Sequence, residues 1–367
     1  MTSAELQSLN AQILGASFVL SLLFGAIAQR SHFCTMGAIA DVVVMGDFTR
    51  MRQWALAAGV AILGFGAMAY LGIVDPSKTL YVSNRWLWLS AATGGAMFGF
   101  GMVLSSGCGS KTLVRIGGGN LKSLVVFLAM GVSAFATLKG ITAVLRVATV
   151  DRVAPVFNVP ATLPAATAWV LATDARLTGL ILALLLGAIL VIWALRGEGF
   201  LRRENLLAGL GTGSIIVAMW WVSGHLGHLT EHPETLEDVF LATNSGRAEA
   251  LSFVAPVAYT LDWLMFFSDR SKVLTIGIVS VFGVVLGSAI VALAKRSFRW
   301  EGFEGPGDVA RHLGGATLMG IGGVTAMGCT IGQGLSGIAT LSATSLVAVA
   351  AIGAGAVAAL KYQISRL

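Results

Sequence analysis

The chain has 367 residues, of which 56% are hydrophobic and only 11% charged, and its mean hydropathy is +0.82. A soluble domain carries roughly 25% charged residues, so the composition excludes an ordinary soluble enzyme or binding module and makes the bilayer the solvent. The net charge of +6 would raise nucleic acid as a partner in a soluble protein, but here the basic residues sit in short loops, as membrane topology requires, and no nucleic-acid partner is expected.

A spanning helix needs about 20 apolar residues. The sequence predicts nine such helices, near residues 12–28, 54–73, 86–104, 122–144, 177–195, 205–222, 272–294, 313–328 and 344–360. No soluble-looking block separates them, so a single all-α polytopic membrane domain is expected over 1–367. The first ten residues carry no cationic stretch and no clear cleavage site follows, so the first apolar run is expected to persist as a helix. Nine spans put the termini on opposite sides. Of the 24 Lys and Arg, 15 then fall on the side of the C-terminus, among them Arg30, Arg50, Lys111, Arg115, Arg296 and Arg366. The positive-inside rule places that side in the cytoplasm and the N-terminus outside.

Between these spans lie segments too short to cross and too apolar to be solvated. The first follows Cys34 and contains Asp41; an ionisable residue at membrane depth is a candidate functional group, though Asp41 also reads as a loop-end residue near the headgroups. The second, 105–119, contains Gly107, Cys108, Gly109, Lys111 and Arg115. The third follows Gly328 and Cys329 and contains Gln333, four residues on and therefore on the same side if helical. Each reads as a re-entrant half-helix, tolerated at that depth only inside protein or along a cavity. Glycines there permit close backbone approach, and the exposed N–H groups at a half-helix start favour an anion. Lys111 and Arg115 read either as an anion-attracting mouth or as topology signals.

Residues 99–108 and 320–329 match at five of ten columns, including the final Gly-Cys. This predicts a duplication, with a first repeat at about 11–145, a linker helix at about 177–195 and a second repeat at about 204–361. An odd linker inverts the second half, and inverted repeats place their site near the midplane where discontinuous helices meet. The loop 223–271 carries His225, His228 and His232, but Pro233 follows at once and no cysteine accompanies them, so no metal site is expected. The apolar run 251–267 in that loop reads as another half-inserted segment, equivalent to the Cys34 loop but without a cysteine.

Three cysteines, Cys34, Cys108 and Cys329, are too few and too far apart for a disulfide framework or a CxxC redox motif. A neutral thiol is a weak donor and a soft group, suited to a sulfur-bearing anion held weakly enough to move on. A thiolate would repel a dianion, so these cysteines are expected to stay protonated, in keeping with burial in apolar surroundings.

These features together resemble the YeeE/YedE family of sulfur transporters, on Ser31-His-Phe-Cys-Thr-Met-Gly-Ala38 in the first loop, Ser106-Gly-Cys-Gly109 in the second and Met327-Gly-Cys-Thr-Ile-Gly-Gln333 in the last. The resemblance covers essentially the whole chain. It implies a bacterial inner-membrane protein that takes up thiosulfate along a narrow, hourglass-shaped path. The substrate would pass between Cys34, Cys108 and Cys329 by S–H hydrogen bonds, without a cofactor. It also implies a small cytoplasmic sulfur-carrier partner, and some relatives are thought to handle selenium or other sulfur species. The rivals are a membrane thiol-disulfide oxidoreductase, which would need a CxxC pair or a low-pKa thiol near a base, and a channel for another small anion. No Walker motif is present, so ATP hydrolysis by this chain is not expected.

Overall fold

Helix α1 (Ser3–Ser31) starts on a capping box in which Thr2 and Glu5 bond each other's backbone N–H, which carries the helix nine residues upstream of the apolar run. It ends at His32 in the left-handed conformation. Cys34 then caps α2 (Thr35–Ala40), which runs into π turns over Asp41–Met45 and stops at Gly46. The computed structural model describes residues 2–233 and 236–365; Arg366, counted above on the cytoplasmic side, lies outside the described residues.

The chain continues through α3 (Thr49–Tyr70), α4 (Trp88–Leu104), α5 (Gly109–Gly117), α6 (Leu121–Lys139), α7 (Ile141–Ala148), α8 (Leu163–Leu171) and α9 (Ala175–Leu195). A continuous helix follows over Arg203–Leu226, in which α10 (Arg203–Leu206) and α11 (Thr212–Trp221) are joined and extended by π turns. Two short strands, β1 (His228–Leu229) and β2 (Val239–Phe240), pair antiparallel. Then come α12 (Ala255–Met265), α13 (Ile276–Ala294), α14 (Pro306–Thr325), π turns over Gly332–Gly337, and α15 (Ala343–Ile364).

The protein is an all-α integral membrane protein. Among the described residues, eight helices are long and apolar enough to cross a bilayer, against nine expected. The ninth, expected at 313–328, falls in α14, which starts earlier and carries Asp308, Arg311 and His312 in its opening turns; those charges lower its hydropathy. Exposed side chains show which faces meet lipid. On α6, Leu124, Leu128 and Val132 recur every fourth residue, one stripe of a helix. Helix α9 is nearly all lipid-facing, with 17% of its window buried against 61% for α13, and it packs chiefly on α3.

With lipid as apolar as the side chains, close packing and small residues drive helix association. Helices α4 and α14 run antiparallel with their glycines interlocked. A Cβ on Gly101 would lie 2.6 Å from the Gly315 carbonyl oxygen, and one on Gly315 would lie 2.6 Å from that of Gly101. Gly94 and Gly322 face each other in the same way, again at 2.6 Å. Helix α4 also packs on α15, where a Cβ on Gly99 would collide with the Ile352 carbonyl, and α14 packs on α6, where one on Gly320 would lie 2.5 Å from the Met130 carbonyl oxygen. Helix α1 packs on α13, and α11 on α3.

Candidate functional site

Three helices break in the same manner, and each break delivers a cysteine. His32 after α1, Ser106 after α4 and Met327 after α14 have φ of 54, 56 and 59°, and the cysteine lies two residues on in each case. After α4, Gly107 N donates to Met102 O at 2.9 Å and Ser106 N to Val103 O at 3.1 Å; after α14, Gly328 N donates to Gly323 O at 2.8 Å and Met327 N to Val324 O at 3.0 Å. Both are Schellman-type closures. The left-handed residue is not glycine in any of the three, at a cost of about 1–2 kcal/mol each. Gly107, Gly109 and Gly328, expected to supply the unusual turn conformations, do not have positive φ. Close approach holds better elsewhere. A Cβ on Gly332 would sit 2.6 Å from Ser252 Oγ, and one on Gly334 would sit 2.5 Å from the Trp54 ring. By contrast, Gly109 has only ordinary contacts with Phe253, from 3.5 Å.

Each cysteine starts the helical segment that follows its break. Cys34 Sγ accepts from Gly37 N at 3.4 Å, Cys329 Sγ accepts from Gly332 N at 3.4 Å, and Cys108 Sγ shares a hydrogen bond with Ser110 Oγ at 3.3 Å. A thiol that accepts from backbone still has its S–H to give. The three sulfurs converge. Cys108 neighbours the Cys34 thiol and the Thr330 hydroxyl, and Cys329 lies within electrostatic range of Cys108 and beside the Phe253 backbone. Cys108 and Cys329 are 0% exposed and Cys34 is 7% exposed, so the structure is closed at their level. All three are free thiols.

Around them, Lys111 is half-buried on α5, its stem 3.2 Å from where a Gly107 Cβ would be. It shares an electrostatic neighbourhood with Cys34, Cys108, Arg115 and Arg50. Arg115 donates to the Ser106 carbonyl at 2.8 Å and so clamps the break before Cys108. Asp41, at the α2–π junction, is paired with Arg50 Nε at 3.2 Å. Its charge is therefore met by the start of α3. Gln333 follows Cys329 in helical register, its N bonding the Cys329 carbonyl at 2.8 Å, and its Nε2 donates to the Ala326 carbonyl at 2.6 Å. The buried Gln333 Oε1 has no hydrogen-bond partner among the described residues. His228 is bound to Asp238 at 2.9 Å, and His225 lies beside Trp221.

Sequence reasoning missed Thr330, Phe253 and Trp54. The first had a signal, since Cys-Thr occurs at both Cys34-Thr35 and Cys329-Thr330; the Thr35 hydroxyl accepts from Trp54 Nε1 at 3.1 Å. Phe253 had none, being one apolar residue in an apolar run. A cavity of about 480 Å³, bordered by Phe65, Ala69, Lys78, Arg176 and His228, is lined by none of the three cysteines.

A family model described as sulphur transport matches residues 30–358. The thiosulfate transporter TsuA of Escherichia coli K12 is 27% identical over 335 residues, covering 87% of this chain and 86% of that protein. TsuA of Spirochaeta thermophila is 27% identical over 340 residues, covering 90% and 93%. The probable transporter YedE of Escherichia coli K12 is 30% identical over 112 residues, covering 30% and 26%.

Proposed function

The chain belongs to the sulphur transport family, and from that premise we propose that it takes up thiosulfate across the bacterial inner membrane along a path whose narrowest part is formed by Cys34, Cys108 and Cys329. The observation that carries this reading is the convergence of three cysteines from three separately broken helices. The relatives matched along most of the chain are thiosulfate transporters by name.

In this mechanism the thiols replace part of the anion's water with weak, polarisable donors. Strong donors would trap the anion, whereas conduction requires sites it can leave. Cys108, central to the cluster, would receive the anion from one neighbouring cysteine and pass it to the other. The free N–H groups at the start of α5 add positive potential there, and Lys111 with Arg115 draws the anion onward. Gly107 and Gly328 leave room for the Lys111 and Gln333 side chains packed beside them, Asp41 fixes α2 through Arg50, and Gln333 braces the α14 break. No bond to the substrate is made or broken, so the protein acts as a transporter and not as an enzyme. A small cytoplasmic sulfur carrier would take the product on the Lys111 side.

Two further parts of the reading rest on packing. The offset that relates Cys108 to Cys329 also relates Gly94 to Gly315, Gly99 to Gly320, Gly101 to Gly322 and Ser106 to Met327. The contacts respect that relation, because Gly101–Gly315 and Gly322–Gly94 are exchanged by it. This supports an inverted duplication, 11–145 and 204–361, joined through the peripheral α9. The excess of Lys and Arg on the side of the C-terminus supports a cytoplasmic C-terminus.

The proximity of Cys34 to Cys108 is the one observation favouring a thiol-disulfide oxidoreductase. One experiment addresses both readings: growth of a sulfur auxotroph on thiosulfate as sole sulfur source, with and without this protein. Growth that depends on the protein is expected. Absence of growth on thiosulfate, with the protein shown to be in the membrane, would overturn the transport reading.

A further inference from the structure

One cavity has no role in the mechanism above. It encloses about 180 Å³, with Arg146 of α7, Glu249 and Ser252 of the segment before α12, Tyr259 of α12, and the Met327–Gly328 turn among its walls. Asn244 and Ser245 at its rim are exposed, while Met327 and Gly328 are the two residues that precede Cys329. Because α4 and α14 are antiparallel, with Gly94 against Ala326 and Gly101 against Gly315, the breaks before Cys108 and Cys329 lie at opposite ends of that helix pair. The cavity therefore leads to Cys329 from the face opposite Lys111, and it has room for a small anion with some of its water.

We propose that this cavity is the receiving site for the substrate anion on that face, and that Glu249 gates it by protonation, the neutral acid admitting the anion and the carboxylate repelling it. The inference rests on the thiosulfate reading above.

Glu249 is placed for this. Its backbone N donates to Ser223 Oγ at 2.8 Å and its carboxyl accepts from Ser245 Oγ at 3.0 Å, which fix it at the cavity wall. Among the described residues no cation lies within ion-pair distance of it. Arg146, across the cavity, is held by Asp151 at 3.4 Å. Arg247 is turned away to the carbonyls of Thr79 and Val82. Tyr259 and Tyr81 face it as neutral phenols, and Asp262 beyond Tyr259 is tied to Lys272 at 2.6 Å. A half-buried carboxyl without a cation favours its neutral form, and its partial desolvation raises Glu249 to about 7. Thiosulfate remains a dianion throughout that range, so a titration seen near neutrality must belong to the protein. Arg146 supplies the positive charge that retains the anion once Glu249 is neutral.

The test is uptake of labelled thiosulfate into proteoliposomes holding the full chain, with inner and outer pH kept equal so that no proton gradient contributes. Wild-type uptake should be highest on the acid side of neutrality and fall by roughly tenfold per pH unit above the titration of Glu249, as the protonated fraction falls. Glu249→Gln, neutral at every pH, should carry thiosulfate at the same rate on the acid and alkaline sides. A flat wild-type profile would overturn the gate whatever the variant does, and so would a Gln variant that keeps the wild-type pH dependence. No thiosulfate uptake by the wild type at any pH would remove the substrate reading and the gate with it, whereas pH-indifferent uptake would remove the gate alone.

Discussion

At the scale of single residues, the proposed relay makes the three cysteine thiols the groups on which uptake depends. Replacing Cys108 or Cys329 with Ala deletes one buried atom, a loss of about 1 kcal/mol, which the fold should survive. Uptake of labelled thiosulfate at matched membrane expression should nevertheless fall to background in both variants, because the S–H donor is gone. Cys34→Ala should behave in the same way, since its thiol lies beside that of Cys108. Serine keeps a donor but is harder and more strongly hydrated, so Cys108→Ser should retain partial uptake, whereas a disulfide mechanism would tolerate neither change. Wild-type rates in all three alanine variants would eliminate the relay. The cysteines were legible in the sequence because each ends an apolar run. Their breaks were less so. The left-handed positions fall on His32, Ser106 and Met327, none of them the glycine or asparagine that ordinarily marks such a helix end, and tertiary packing holds them there.

At the scale of helices, the glycines of α4 and α14 separate those with a packing duty from those without. At Gly101 and Gly322 an added methyl meets a backbone carbonyl oxygen at 2.6 Å, and neither helix can yield without disturbing the break it leads into. Gly101→Ala and Gly322→Ala should each destabilise the protein by about 1–3 kcal/mol, read as lowered thermal unfolding temperatures in detergent. Gly353→Ala on α15, where nothing lies within 4 Å of the new methyl, should be neutral or stabilise by up to about 1 kcal/mol through helix propensity. Equal losses at all three positions would refute the interlocked packing. The helices themselves were legible from hydropathy, but their ends less so: α1 begins well before its apolar run on a polar cap, and α14 begins early where charge interrupts the pattern. Helix α14 opens with Asp308, which is bound to Lys122 of α6 at 2.9 Å and to His312 at 3.0 Å. A charge satisfied by a neighbouring helix costs the fold little, but it lowers the hydropathy by which a span is recognised.

At the scale of the molecule, the decisive quantity is the number of crossings, because its parity fixes whether the two termini share a side. Eight helices qualify by length and composition, and an even number would put both termini together. Helix α14 changes the parity. It lies antiparallel along α4 from Gly315 against Gly101 to Ala326 against Gly94, so it traverses the depth that α4 traverses, with its opening charges near the level of Ser105, whose Oγ donates to the His312 carbonyl at 3.3 Å. Its inner faces are covered by α4 and α6, which removes the need for the hydropathy a lipid-exposed helix requires. Counting α14 as a crossing gives the nine spans expected from the sequence, and the expected excess of Lys and Arg on the side of the C-terminus then orients them by the positive-inside rule. Reporter fusions to each end of the full chain should therefore give a periplasmic signal at the N-terminus and a cytoplasmic one at the C-terminus. Two signals from the same compartment would mean that α14 does not cross. Opposite signals in the reverse sense would keep the nine crossings but put the Glu249 cavity on the cytoplasmic face, making it an exit from Cys329 and Lys111 the entrance.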